Sequence, residues 1–170
     1  MAQAFGPENA RLTVRTGRSG AAAKAGHDLL IEVTAWSGTL DPDGDPAITL
    51  SADSRSLRVI EGTGGMQALD EGDRAGIEQT IDDEVLKGTA IHFRSTRFDD
   101  LPGRVEGELE LAGARHPIGF ELASGENGEL TGRAIVRQSD WGMKPYSALF
   151  GTLKVADEVE VQVETRPHAG

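Results

Sequence analysis

The sequence predicts a mainly-β protein with one helix, and three observations carry that reading. From Ile91 to Thr165, apolar and polar residues alternate in short runs, the period of strands with one buried and one wet face. Glycine is abundant, 22 of 170 residues, and many glycines stand inside or beside those runs, where they permit bends, bulges and tight turns. Only one stretch carries the spacing of an amphipathic helix. Alternating runs in succession imply an antiparallel sheet, a sandwich or a barrel. A barrel leaves no exposed edge and can enclose a cavity.

Taken in order, residues 1–9 read as a loose lead-in. Ala10 to Thr16 is a first strand, with Leu12 and Val14 opposed to Arg11, Thr13 and Arg15. Gly17 to Gly26 is small and polar, a loop or a single helical turn. Leu29 to Leu40 is a second strand with Ile31, Val33 and Ala35 on one side and Glu32, Thr34 and Trp36 on the other. Residues 41–46 (DPDGDP) are a turn on composition. A third strand covers Ala47 to Ser54, and Leu57, Val59 and Ile60 continue it after a bend. Glu61 to Asp70 is a Gly-rich connection. Asp73 then caps a helix whose Ile77, Ile81, Val85 and Leu86 form one apolar stripe, and Gly88 ends it. Its back, Glu78, Asp82, Asp83 and Glu84, reads as a solvated face. The alternations of Ile91-Phe93, Val105 to Leu111, Ile118 to Leu122, Leu130 to Val136 and Val159 to Val163 complete about eight strands. Residues 112–115 and 124–128 are hairpin turns, and 166–170 are a loose tail.

The chain is long enough to bury a core as one domain, 1–170. Aromatics are only 5%, so that core rests on Val, Ile, Leu and Ala. A net charge of −11 argues against nucleic acid and against anionic lipid headgroups, since both call for a cationic surface. The absence of cysteine removes disulfides, thiol catalysis and Cys-based metal sites. The first residues lack the basic flank and apolar run of a secretory signal. No stretch nears the ~18 apolar residues of a membrane helix. The expectation is a cytoplasmic protein with no integral membrane association.

Few residues suggest chemistry. His27 and Asp28 are strand neighbours that face opposite sides; they either reach a ligand headgroup at a barrel mouth or tie a loop to the barrel end. His92 lies opposite the face of Ile91 and Phe93, while His116 and His168 fall in a turn and the tail and are expected to be exposed. Four scattered histidines with no short-spaced pair give no metal site. Arg137, Ser139, Asp140, Trp141 and Lys144 are the densest polar-aromatic segment, and alternation puts Arg137, Ser139 and Trp141 on one face. Arg137 offers its planar fork to a phosphate or quinone oxygen, or else pairs with Asp140 or a carbonyl while Trp141 fills a core gap. Tyr146, Leu149 and Phe150 read as a loop with apolar anchors, a lid or part of the core. No GxSxG and no phosphate-cradling loop is present, Gly62 to Met66 lacking the spacing. No catalytic residue and no cofactor is assigned.

Five segments in register resemble those of the YceI-like, polyisoprenoid-binding family. They are Thr34 to Leu40, Ala52 to Val59, Arg74 to Leu86 leading into Ala90 to Thr96, Val105 to Ile118, and Val136 to Lys144. Gly26-His27-Asp28-Leu29 is similar to a tetrapeptide of one branch of that family. The resemblance implies an eight-stranded, antiparallel, lipocalin-like β-barrel with one amphipathic α-helix at one end. It also implies a lumen that holds an isoprenoid-type lipid, a quinone or polyprenyl phosphate, by transfer of apolar surface from water. On that reading the lumen wall is Leu29, Ile31, Val33, Ile91, Phe93, Leu109, Leu111, Phe120, Leu122, Ala134 and Val136, and the mouth is His27, Asp28, Arg137, Trp141 and Tyr146. Two alternatives stay open: an enzyme acting on a small or lipidic substrate at the mouth, and a ligand-free stress-response or interaction protein. The latter requires a filled lumen, and an exposed apolar patch would then form a homodimer.

Overall fold

The computed structural model describes residues 2–19, 28–63, 70–99, 102–144, 147–148 and 153–165. In chain order the elements are β1 (Gln3–Phe5), β2 (Ala10–Arg15), β3 (Arg18–Ser19), β4 (Asp28–Val33), β5 (Trp36–Leu40), β6 (Ile48–Ala52), β7 (Leu57–Thr63) and α1 (Glu71–Thr80). There follow β8 (Ile91–Phe98), β9 (Gly103–Leu111), β10 (Ala114–Ser124), β11 (Leu130–Arg137), β12 (Ser147–Ala148), β13 (Leu153–Val155) and β14 (Glu158–Thr165). Eleven strands make one curled antiparallel sheet in the order β1-β5-β6-β8-β9-β10-β11-β14-β2-β4-β7, and β12-β13-β3 form a small second sheet.

The fold class is the expected one, but the sheet has eleven strands and not eight, because two predicted strands turn corners and the lead-in adds a strand of its own. The second breaks at Thr34–Ala35 into β4 and β5, and the third breaks before Leu57 into β6 and β7. The two corners are hydrogen-bonded to each other: the Thr34 N–H donates to the Ser56 carbonyl at 2.9 Å, and the Asp53 N–H to that of Ala35 at 3.0 Å. The lead-in was expected to be loose, yet Gln3–Phe5 pairs with β5. A turn over residues 6–9, in which the Asn9 side chain bonds the Gly6 N–H and the Ala4 carbonyl, joins it to β2. With each bent pair taken as one strand, eight strands form a ring of pairings that returns from β14 to β2. The corner also shifts the side-chain phase. Ile31 and Val33 are buried as expected, but Trp36 and not Ala35 carries on the buried face.

Beyond β2, the polar stretch from Gly17 gives the short strand β3 before the described residues pause. The Gly-rich connection starts later than Glu61, since β7 runs to Thr63. Helix α1 is capped by Asp70, and Asp73 is its reciprocal partner in a capping box at 2.7 and 3.1 Å; the earlier aspartate wins because the later one answers its N–H. From Ile81 to Leu86 the helix widens into a π-helical turn and ends on Lys87 and Gly88, both at positive φ. The spacing of five between Ile81 and Leu86 suits such a turn, so the apolar stripe keeps one direction.

The buried side chains form two clusters, one around Leu12, Ile31, Val33, Trp36 and Leu86, the other around Phe93, Val105 and Leu122. In the second, the Phe93 and Phe120 rings lie 5.7 Å apart. Gly107 makes room for them: a Cβ there would stand 2.7 Å from the Phe93 ring and 2.4 Å from the Arg94 carbonyl oxygen. Cross-strand ion pairs such as Arg11–Glu32 at 2.7 Å and Arg133–Glu160 at 3.7 Å cover the outer face. Being exposed, they add solubility more than stability.

Candidate functional site

The inward positions of the strands and the stripe of α1 enclose a cavity of about 1180 Å³, larger than the ~300–1,000 Å³ of common small-molecule sites. All eleven residues expected in the lumen wall, Leu29, Ile31, Val33, Ile91, Phe93, Leu109, Leu111, Phe120, Leu122, Ala134 and Val136, line it. Also in the wall, though absent from that expectation, are Leu12 and Val14 of β2, Val159, Val161 and Val163 of β14, and Ile77, Ile81, Val85 and Leu86 of the helical segment. Their alternation and stripe were legible; what was missing was the closure that brings β2, β14 and the helix round the same space. On β11 the lining runs from Leu130 to Gln138 just beyond its end, roughly 26 Å along the strand at ~3.3 Å per residue.

Polar groups touch this cavity at few places. Thr39 and Thr49 bond each other at 2.7 Å, and the Thr165 hydroxyl accepts from the Leu130 N–H at 2.7 Å. Arg133 is counted in the wall, but its guanidinium pairs with Glu160 and its side chain is largely exposed. The remainder, Thr16, Asp73, Thr80 and Gln138, belong to the ends of β2 and β11 and to α1.

The expected mouth residues fare differently. His27 and Tyr146 lie outside the described residues, as do Leu149, Phe150 and His168. Asp28 starts β4, paired with Thr63, and is not part of the cavity lining. Arg137 and Trp141 lie outside the cavity lining. The Arg137 guanidinium is exposed and meets Glu158 at 3.3 Å. Trp141 is buried outside the lining, its indole N–H donating to the Leu109 carbonyl at 2.8 Å. The cause is a 3₁₀ turn, Gln138–Trp141, with three residues per turn in place of two; Arg137, Ser139 and Trp141 therefore do not share a face. His116 is a correction, since it is half-buried with its ring 5.1 Å from that of Trp141. His92 stands across from Glu110 and Ser51 and is half-buried.

The 3₁₀ turn is anchored on the segment before β14. The Gln138 N–H donates to the Asp157 carbonyl at 2.9 Å and its side-chain amide to that of Ala156 at 3.2 Å. The Asp157 carboxylate accepts from the Ser139 N–H at 2.8 Å and from its hydroxyl. That hydroxyl bond is the main reason its carboxyl sits below the usual carboxylate range, with Arg137 nearby adding to the effect. On the helix, two acidic residues expected in solvent have partners: Glu78 accepts from the Val59 N–H at 2.9 Å, and Asp82 faces Arg55 at 3.4 Å. Among the described residues no group of three or more His, Asp or Glu gathers as a metal site. No helix among them is long and apolar enough to cross a membrane.

The sequence matches the family model of the YceI-like domain over residues 13–166. The fold is similar to the crystal structure of BcnA from Burkholderia cenocepacia, with a TM-score of 0.63 over 91% of this chain and 94% of that one. Sequence identity there is 15%, so this likeness is one of fold. No curated protein sequence matches the chain.

Proposed function

The chain belongs to the YceI-like family, and from that premise we propose that it binds and carries an amphipathic isoprenoid-type lipid, its hydrocarbon chain inside the sheet. The observation that carries this reading is the cavity of about 1180 Å³ with a predominantly apolar wall. Each methylene moved from water into such a wall gains about 0.8 kcal/mol, so a long tail binds with few polar contacts. The open cavity supports this reading over a ligand-free interaction role, which calls for a filled lumen.

The head of the ligand is uncharged in this proposal, a quinone-like ring in preference to a polyprenyl phosphate. Among the described residues the polar groups at the cavity are hydroxyls, an amide and the Asp73 carboxylate, together with Arg133, whose guanidinium pairs with Glu160 on the outer face, while Arg137 is turned outward to Glu158. With a net charge of −11, the chain as a whole repels a phosphate. We read it as a binding protein and not an enzyme, because two of the three residues a catalytic reading would use, Asp28 and Arg137, are outside the cavity lining, the third, His27, being outside the described residues. A cytoplasmic site of action is part of the same proposal, and cell fractionation checks it.

Native mass spectrometry of the purified chain tests the main claim. One neutral isoprenoid-type lipid per chain, released by organic solvent, is the expected result. A chain that carries nothing and takes up no added prenylquinone removes the reading, and preferential uptake of a polyprenyl phosphate removes the neutral-head part of it.

A further inference from the structure

Along the β10–β11 seam two long neighbouring strands pair over only part of their length. Their ladder covers Glu121↔Arg133 through Ser124↔Leu130. Continued upward in the same register, it would pair Gly119 with Ile135 and Pro117 with Arg137. In its place lies a surface pocket of about 500 Å³, lined by those four residues together with Ile118, Asp140, Trp141 and Glu158. Both strands keep their other neighbours at this level, β10 on β9 and β11 on β14. The wall is thus split from its rim downward.

The split leads toward the lumen. Ile118 lines both the seam pocket and the central cavity. On the outer lip, Ile135 is 56% exposed, the exposed large hydrophobic side chain of the described residues. Pro117 has no N–H with which to rebuild the ladder. Among the described residues Trp141 reaches over the gap: it stands on a turn bonded to residues 156–157 on the β14 side, and its tip bonds Leu109 of β9 while its ring meets the tilted ring of His116 of β10. Gly142, at φ 74°, follows it directly, a conformation that glycine adopts without strain.

We propose that this seam is a lateral entrance through which a hydrocarbon chain slides into the lumen, and that Trp141 is its clasp. The proposal rests on the lipid-binding reading above. A long chain threaded end-on must leave its apolar surroundings entirely before it is sheltered; one that enters sideways exchanges them segment by segment. Trp141 acts on the passage without touching the seated chain, being outside the cavity lining.

Stopped-flow fluorescence with the neutral polyene alcohol of parinaric acid tests this on the full chain. Trp141→Phe keeps a ring in the gap and loses the N–H. It is expected to speed association and dissociation alike by about 10-fold, the weight of one hydrogen bond in a barrier, with Kd within about two-fold. The chain has no cysteine, so Gly119→Cys with Ile135→Cys places a unique thiol pair on the outer face. At Gly119 the nearest obstacle is the far end of the exposed Arg104 side chain, which can move aside. Bridging these thiols with a short bis-thiol reagent is expected to slow both rates by about 10-fold or more, again with little change in Kd. Bridged protein that exchanges the probe at the unbridged rate overturns the lateral entrance. A Trp141→Phe variant that changes only dissociation, with Kd weakened in proportion, overturns the clasp and makes Trp141 a ligand contact. Failure of the wild-type chain to bind the probe at all sinks the lipid-binding reading and this proposal with it, whereas binding with unaffected exchange sinks the entrance alone.

Discussion

Among the described residues the wall of the sheet parts beside β7 and again between β10 and β11, and these two gaps are closed in different ways. Among the described residues β7 has no strand neighbour beyond β4, because β8 pairs with β6 and not with it. The helical segment covers that gap with four apolar side chains, Ile77, Ile81, Val85 and Leu86, packed on the core around Leu57 and Val59. Glu78 adds a bond to the open backbone edge at Val59. Between β10 and β11, among the described residues, Trp141 reaches over the gap through one hydrogen bond and one ring contact. A break sealed by a packed element belongs to the stability of the fold. A break held by one side chain can open at small cost and close again, as a ligand passage requires.

Substitutions on the two sides should separate stability from exchange. The largest effect is expected for Leu86→Ala. Leu86 is 5% exposed within the first core cluster, and truncating such a leucine costs about 3 kcal/mol, to be read from urea unfolding. Trp141→Phe, which keeps a ring but strips a donor from the Leu109 carbonyl, should cost about 1–2 kcal/mol in the same measurement while altering probe exchange. Equal losses at the two positions would erase the distinction. Next comes Glu78→Ala, which strips the acceptor from the Val59 N–H and should cost about 1–2 kcal/mol, a fall in Tm of roughly 4 °C for a chain of this size. Glu78→Gln keeps an acceptor and should recover most of it. If both variants melt together at the lower temperature, the carboxylate itself and not the backbone bond would be what seals this edge.

What the sequence could and could not reveal follows the same division. Period-two alternation at Leu109/Leu111, Phe120/Leu122 and Ala134/Val136 was enough to name wall residues, because register on a half-buried strand is fixed by which face is apolar. The helix stripe was equally legible. The corners were not. A strand that bends at Thr34–Ala35 keeps its β-like composition while its side-chain phase shifts, so Trp36 was assigned to the wrong face. The Arg137-to-Trp141 segment failed for a related reason: its alternation looks like strand, but Asp157, sixteen residues beyond Trp141 in the sequence, draws Ser139 into a 3₁₀ turn. No local pattern announces that long-range bond. Glu78 and Asp82 looked solvated because an acidic helix face usually is, and only the open edge of β7 and the position of Arg55 give them partners.

The smallest expected effect, and the one that ties the two regions together, is a pH dependence confined to the seam. Asp157 bonds the Ser139 N–H and hydroxyl and so holds the base of the turn that presents Trp141. The hydroxyl bond comes first among the causes that lower its carboxyl pKa; Arg137 adds to the shift, and Glu158 pairs with that same arginine. A folded-state value below the unfolded one means the stabilisation is complete above the ordinary carboxylate value of about 4 and is lost as pH falls through the lower folded value. Probe exchange should therefore be flat from neutral pH down to about 5 and then quicken by roughly two-fold in acid, a modest change because the site is exposed. Asp157→Asn should show the faster exchange already at neutral pH, with no further rise in acid, and its urea unfolding should stay close to wild type. The helix-sealed gap has no such carboxylate in its packing stripe, so Leu86→Ala should lower stability at every pH alike. An Asp157→Asn protein that exchanges at the wild-type rate and still quickens in acid would assign the acid response to another carboxylate and leave the turn held by Gln138 and its partners at 156–157.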